Sequence, residues 1–343
     1  MNPLGARLAI ALLWTALMAG PIMQPAAMAS SKTDNEGGYH PAVPTDIYSR
    51  LPFEGEDRKY LVHLPPNYEP DVKMPLVVVL HGGGGDIGFA VRMFQFNAKA
   101  DKEGFIVAYP NGSGRFHDHI LTWNADACCG YAKAHHKDDV GFVREFLQKV
   151  VSQYSIDTSR VYLVGFSNGA MMAYRLACAM PERFAAFASV SGSMNGKERA
   201  PGLPIAGMII HGSADRHIPV RGGGGKLKKW GFDVHAMPLE YAVQFWRKAD
   251  GCSTVVAGAE NHGQVHYRKF INGKDGADVE VYVIDGYRHS WPGGHRAWFR
   301  ADPPYPDLSA TDLCWSFFSK HTRDLSGAKI CNELDQLSHV LQP

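Results

Sequence analysis

From residue 59 to residue 321 the chain alternates between two hydrophobic rhythms. Lys59-Tyr60-Leu61-Val62-His63-Leu64 interleaves polar and apolar positions and stops at Pro65-Pro66-Asn67, which predicts a strand. Leu76-Val77-Val78-Val79-Leu80 is an unbroken aliphatic run, the mark of a strand buried on both faces of a mainly parallel sheet. Phe105 to Tyr109 repeats the pattern before Pro110, and residues 89–102 between these strands read as one helix. Val140 to Tyr154 is apolar at helical spacing, with Asp138 or Asp139 as its cap. Further strands are predicted at Val161–Val164, Ala206–His211 and Val279–Ile284, and helices at Asn168–Met180, Glu240–Ala249 and Ala310–His321. Strand and helix alternate throughout. The fold class expected is therefore α/β, a mainly parallel sheet covered on both faces through right-handed crossovers, in one domain over residues 51–325. Sheets of this kind bind ligands beyond the carboxyl ends of their strands.

The two ends of the chain differ from this middle. Arg7 precedes a short apolar stretch, Leu8 to Ala19, followed by Gly20-Pro21 and Ala27-Met28-Ala29. A basic start, a short apolar run and a small-x-small site predict a signal peptide over residues 1–29 and an exported protein, extracellular or periplasmic. The run is shorter than the roughly 20 residues of a spanning helix, so no membrane span is expected. Residues 30–50 are polar and rich in Pro and Gly, which predicts a flexible lead-in, and residues 326–343 form a tail. The 35 basic and 34 acidic residues nearly cancel and form no basic stripe, which argues against a nucleic-acid partner. Six cysteines, Cys128, Cys129, Cys178, Cys252, Cys314 and Cys331, suit export to an oxidising compartment. Adjacent Cys128 and Cys129 are expected to reach different partners. Neither His117-Asp118-His119 nor His135-His136 has zinc-ligand spacing with a second half, so no metal is expected.

Candidate chemistry gathers at strand ends. Gly165-Phe166-Ser167-Asn168-Gly169 follows a buried strand and opens a helix, the required context of the G-x-S-x-G nucleophile elbow. A serine hydroxyl needs a base to take its proton. In α/β-hydrolases the partners follow in the order acid, then histidine. Asp215, in His211-Gly212-Ser213-Ala214-Asp215, and His289, in Gly286-Tyr287-Arg288-His289, each stand just after a strand. They are preferred over Asp233, Glu240, His262, His266 and His295 on that position. Oxyanion donors are expected from the N–H of Asn168 and from His81-Gly82-Gly83-Gly84-Gly85, with Gly83 as first choice. A second run, Gly222-Gly223-Gly224-Gly225-Lys226, lacks phosphate-loop spacing and reads as a loop near the site.

Taken together, several motifs resemble the polyhydroxybutyrate depolymerase-like esterases, a group similar to secreted feruloyl and acetylxylan esterases. They are Leu80-His81-Gly82-Gly83, Thr122-Trp123-Asn124 with Cys128-Cys129-Gly130, and Asp138-Asp139-Val140-Gly141-Phe142. Gly165 to Met171, His211-Gly212-x-x-Asp215 with Ile218-Pro219-Val220, and His289-Ser290-Trp291-Pro292-Gly293 complete the set. The resemblance spans roughly residues 55–322. It implies an α/β-hydrolase fold, Ser-Asp-His catalysis, a carboxylic ester substrate and no cofactor. His81, Trp123 and Trp291 are then candidates to contact substrate, with core packing the alternative for the two tryptophans. No linker or binding domain is recognised, which leaves soluble hydroxyalkanoate oligomers and plant-wall esters both open. Acyl transfer, as in secreted mycolyltransferases, and non-catalytic polymer binding on a hydrolase scaffold are the remoter alternatives.

Overall fold

A computed structural model describes residues 45–126, 128–224, 236–260 and 263–324, all within the unit Val43–Pro343. The leader at 1–29, the lead-in up to residue 44, the tail at 326–343, Asp233, His262, Cys331 and Gly225-Lys226 lie outside these residues. The sheet is built on β3 (Met74–Leu80), buried at every position. Leu76, Val78 and Leu80 point to one face and Val77 and Val79 to the other, as the two-residue period of a strand requires. Beside it run β4 (Ile106–Pro110) and β5 (Ile156–Phe166), then β6 (Ala186–Val190), β7 (Ala206–Gly212) and β10 (Val279–Ile284), all parallel. Antiparallel strands close both edges: β1 (Asp46–Phe53) and β2 (Glu56–His63) on one side, β8 (Thr254–Glu260) and β9 (Val265–Ile271) on the other. The order is β1-β2-β4-β3-β5-β6-β7-β10-β9-β8.

Helices cover both faces. On one, α4 (Asp139–Gln153), α5 (Asn168–Ala179) and α6 (Leu239–Asp250) bury Phe142, Phe146, Met172 and Trp246. On the other, α1 (Ile87–Phe94), α2 (Phe96–Glu103) and α7 (Ala310–Phe318) bury Phe94, Phe96 and Phe317. A short helix, α3 (Gly130–Ala134), lies between β4 and α4. Each aromatic or aliphatic side chain taken from water in this way contributes about 1.5–3 kcal/mol.

Several expectations need correction. Residues 89–102 form two helices, because Gln95 adopts a left-handed conformation (φ 60°) whose N–H closes α1 on Val91 O. The lead-in is ordered from Asp46, where β1 pairs with β2 along its whole length. The short strand β6 and the edge pair β8 and β9 were not expected at all. Cys128 and Cys129 stand side by side in the interior, their Cα atoms 3.1 Å apart. Cys178, Cys252 and Cys314 have no disulfide partner among the described residues. Cys178 and Cys252 sit on the α5/α6 side of the sheet and Cys314 on the α7 side, so the sheet separates Cys314 from the other two. No helix among the described residues is long and apolar enough to cross a membrane.

Asp250, the last residue of α6, is fully buried. One oxygen accepts the N–H of Ile205 at 3.0 Å, and the other has no partner among the described residues. Burial, with the nearby Asp278 charge adding to it, pushes its pKa up to about 7. An unfolded Asp ionises near pH ~3.9, so above that value the unfolded chain releases this proton before the folded one does. The site's contribution to stability is therefore complete at acid pH and declines until about pH 7. Asp250→Asn keeps the acceptor for Ile205 and carries no charge. Urea denaturation at a series of pH values should show the variant gaining on the wild type between about pH 4 and 7, by roughly 3–4 kcal/mol at most. Parallel stability curves would mean that Asp250 does not hold its proton.

Candidate active site

The turn between β5 and α5 presents Ser167 at φ 54°, ψ −118°, a conformation that costs a non-glycine residue about 1–3 kcal/mol. Hydrogen bonds on both sides hold it there: Ser167 N–H donates to Val190 O (2.9 Å), and Ser167 O accepts from Met171 N–H (3.0 Å). The flanking glycines are required by contact. A Cβ on Gly169 would lie 2.4 Å from the carbonyl oxygens of Leu80 and His81, and one on Gly165 would lie 2.2 Å from Gly169 O. Helix and sheet cross so closely that neither position has room for a side chain.

Asp215 follows β7 and His289 follows β10, the strand paired with β7 in parallel. His289 Nε2 lies 2.9 Å from Ser167 Oγ, and its Nδ1 lies 2.6 Å from Asp215 Oδ2. The second oxygen of Asp215 accepts the N–H groups of His217 (2.8 Å) and Ile218 (2.9 Å). Burial would raise the pKa of Asp215, but the adjacent His289 and these hydrogen bonds outweigh it, and the carboxyl is held below its usual value. It is thus an anion at neutral pH, aimed at one ring nitrogen. His211, also buried and 3.5 Å from Asp215 Oδ2, is kept neutral because burial lowers its pKa. Its Nε2 donates to Ile218 O at 2.8 Å, tying down the loop that carries Asp215.

Two peptide groups near Ser167 have their carbonyls pinned. Gly82 O accepts from His81 Nδ1 (2.8 Å) and from Gly85 N–H (3.0 Å). In a trans peptide the N–H points away from its carbonyl, so this fixes the direction of Gly83 N–H. The bond from Met171 to Ser167 O does the same for Asn168 N–H. The N–H groups of Gly84 and Gly85 are engaged, by Leu121 O and Gly82 O, whereas those of Gly83 and Asn168 have no partner among the described residues. Two pre-oriented donors beside a serine hydroxyl suit an anion that forms there.

Three comparisons with known proteins bear on this geometry. The family described as esterase PHB depolymerase matches residues 58–221. NocK of Nocardia uniformis subsp. tsuyamanensis, named as an esterase, is 30% identical over 259 residues, covering 70% of this chain and 72% of its own. The chain belongs to the PHB depolymerase esterase family. Feruloyl esterase D of Neurospora crassa is 26% identical over 271 residues, covering 78% of this chain and 83% of that protein. Among solved structures, an acetyl xylan esterase from Aspergillus awamori aligns with a TM-score of 0.50 at 18% identity, over 71% of this chain and 94% of its own, which shows the common α/β-hydrolase fold.

In this esterase His81, Trp123 and Trp291 do not offer surface to a substrate, contrary to expectation. His81 is 1% exposed, and both tryptophans are 0% exposed. Burial lowers the His81 pKa to about 4, so the ring is neutral; Nδ1–H goes to Gly82 O, and Nε2 accepts from Gly112 N–H at 2.9 Å. It is a brace for the glycine loop. Trp123 links two parts of the site: its indole N–H donates to His81 O (3.0 Å), and its backbone N–H and C=O bond the Asn168 side chain (2.7 and 2.9 Å). Trp291 lies behind the histidine loop against Phe94, its indole N–H on Thr311.

Sequence reasoning missed the support beneath this arrangement. Buried Arg58 on β2 bonds Asp139 Oδ1 (2.6 Å) and, through two nitrogens, the carbonyl of Asn111. Asp139 Oδ2 accepts Asn124 N–H (2.7 Å), next to Trp123. Only the family motif at Asp138-Asp139 hinted at it; Arg58 has no signal in its neighbours. Arg58→Ala leaves the Asp139 carboxylate buried beside an empty site, which typically costs 3–5 kcal/mol, or roughly that here. Urea denaturation should read this loss, and hydrolysis of a p-nitrophenyl ester should fall with it. Unchanged stability would show that the ion pair carries no weight.

Proposed function

We propose that this esterase hydrolyses its substrate through an acyl-enzyme on Ser167, with His289 as base and Asp215 as the acid that orients it. The observation that carries the reading is the continuous line from Asp215 Oδ2 through both nitrogens of His289 to Ser167 Oγ, at 2.6 and 2.9 Å. In the first step Ser167 Oγ bonds to the ester carbonyl carbon while its proton passes to His289 Nε2. The carbonyl oxygen, now an anion, is received by the N–H groups of Gly83 and Asn168. His289 returns the proton to the departing alcohol, and Asp215 stabilises the imidazolium between the two transfers. Water then repeats the sequence on the acyl-enzyme, releasing the carboxylic acid and restoring Ser167. No cofactor enters these steps.

Hydroxyalkanoate oligoesters are the substrate class that the family points to. Feruloyl or acetylated plant-wall esters are the second reading, favoured by the likeness to feruloyl esterase D. The leader at residues 1–29 supports export, where either class of polymer fragment would be met.

The test is hydrolysis by the mature protein of a soluble 3-hydroxybutyrate oligomer, methyl ferulate and a short p-nitrophenyl ester, side by side. Preference for the oligomer supports the first substrate class, and preference for ferulate the second. Ser167→Ala should lower kcat by about 10⁶-fold and Asp215→Asn by about 10⁴-fold. A Ser167→Ala protein that still turns over any of the three at the wild-type rate would overturn the mechanism.

A further inference from the structure

A second histidine stands against the proposed base without any part in the proposed steps. His217 lies two residues after Asp215, and its ring centroid is 4.8 Å from that of His289, with the planes inclined by 55°. One ligand atom from each of Asp215, His217 and His289 lies within 4.8 Å of the other two, the one such group of three found among the described residues. The His217 side chain is 34% exposed and that of His289 10%, so solvent reaches His217 directly and His289 at its margin. Asp302 stands on the other side: its Oδ2 accepts His289 N–H at 3.3 Å and lies 4.0 Å from His217 Nδ1. Its other oxygen is 3.6 Å from Arg288.

We propose that His217 and His289 together capture a divalent transition-metal ion of the zinc type, and that the captured ion reversibly switches the esterase off. The inference rests on His289 being the base. Two imidazoles with a carboxylate at hand suit zinc or copper; magnesium and calcium prefer all-oxygen shells. Zinc–nitrogen bonds of about 2.0–2.1 Å in a tetrahedral site set the two nitrogens roughly 3.4 Å apart. With the ligand atoms within 4.8 Å of one another, the rings need close by no more than roughly 1.4 Å, which rotation of the partly exposed His217 side chain can supply. Asp302 and Asp215 would orient the rings and offset the ion's charge, as carboxylates commonly do behind metal-bound histidines. An imidazole nitrogen bound to metal has no lone pair left for the Ser167 proton, and a ring turned toward His217 leaves the 2.9 Å contact with Ser167. Inhibition follows from either.

The experiment uses the mature protein stripped with a chelator, titrated with zinc chloride, and read in two ways. Calorimetry measures zinc bound per chain, and hydrolysis of the p-nitrophenyl ester measures activity. Wild type and Ser167→Ala should each bind one zinc per chain, since both keep the ligands. Zinc should inhibit the wild type, and excess chelator should restore its activity. His217→Ala should bind zinc about tenfold or more weakly and lose the inhibition in proportion. His217→Gln serves as a second variant, with thermal unfolding confirming that each is folded. Absence of saturable zinc binding by the wild type, or equal zinc sensitivity in both His217 variants, overturns the proposal. Activity surviving in Ser167→Ala would instead count against the mechanism, while the calorimetry would still report on the metal site.

Discussion

The site is organised around the crossing of α5 over the ends of β3 and β5, where neither Gly165 nor Gly169 has room for a side chain. Gly169 lies so near the Leu80 and His81 carbonyls that a methyl group would stand 2.4 Å from each. That approach brings the loop after β3 and the start of α5 to the same place as the Ser167 turn. The unfavourable backbone of Ser167 is held by hydrogen bonds to β6 and to the next helical turn, both of which belong to the main framework. Strain at one residue persists because many ordinary contacts surround it.

The same economy governs the groups around the serine. The peptide groups directed at the site are aimed by what their carbonyls accept on the far side, and the carboxylate of Asp215 by two backbone N–H groups of its own loop. Of the residues that resemble substrate contacts by type, His81 and Trp123 turn out to brace this part of the site from behind, and Trp291 packs in the core against Phe94. On the proposed mechanism these donors meet a charge that appears only during reaction, for which an orientation fixed beforehand is what counts.

Much of this was legible in the chain. The parallel strands β3, β4, β5, β7 and β10 announce themselves as aliphatic or aromatic runs, and the serine, aspartate and histidine stand at strand ends where the loops must gather. What escaped has physical causes. Strand β6, Ala186–Val190, is short and rich in alanine, so neither length nor periodicity marks it. β1 and β8 are edge strands with many exposed positions, and half-solvated strands resemble loops in composition. The break at Gln95 depends on a left-handed residue that is neither glycine nor asparagine. Arg58 and Asp139 are polar residues in the interior, and their pairing across 81 positions cannot be read from local pattern. The disposition of His217 beside His289 is likewise a product of the loops closing over the sheet.

Ser167, Asp215 and His289 hang from β5, β7 and β10, with β6 between the first two, and the bonds joining them bridge 122 and 74 positions of sequence. A chain that has formed any subset of these strands owns no fraction of the site. On the proposed mechanism, turnover is therefore a sensor of the whole central sheet in register: a partly folded molecule, however compact or helical, is silent.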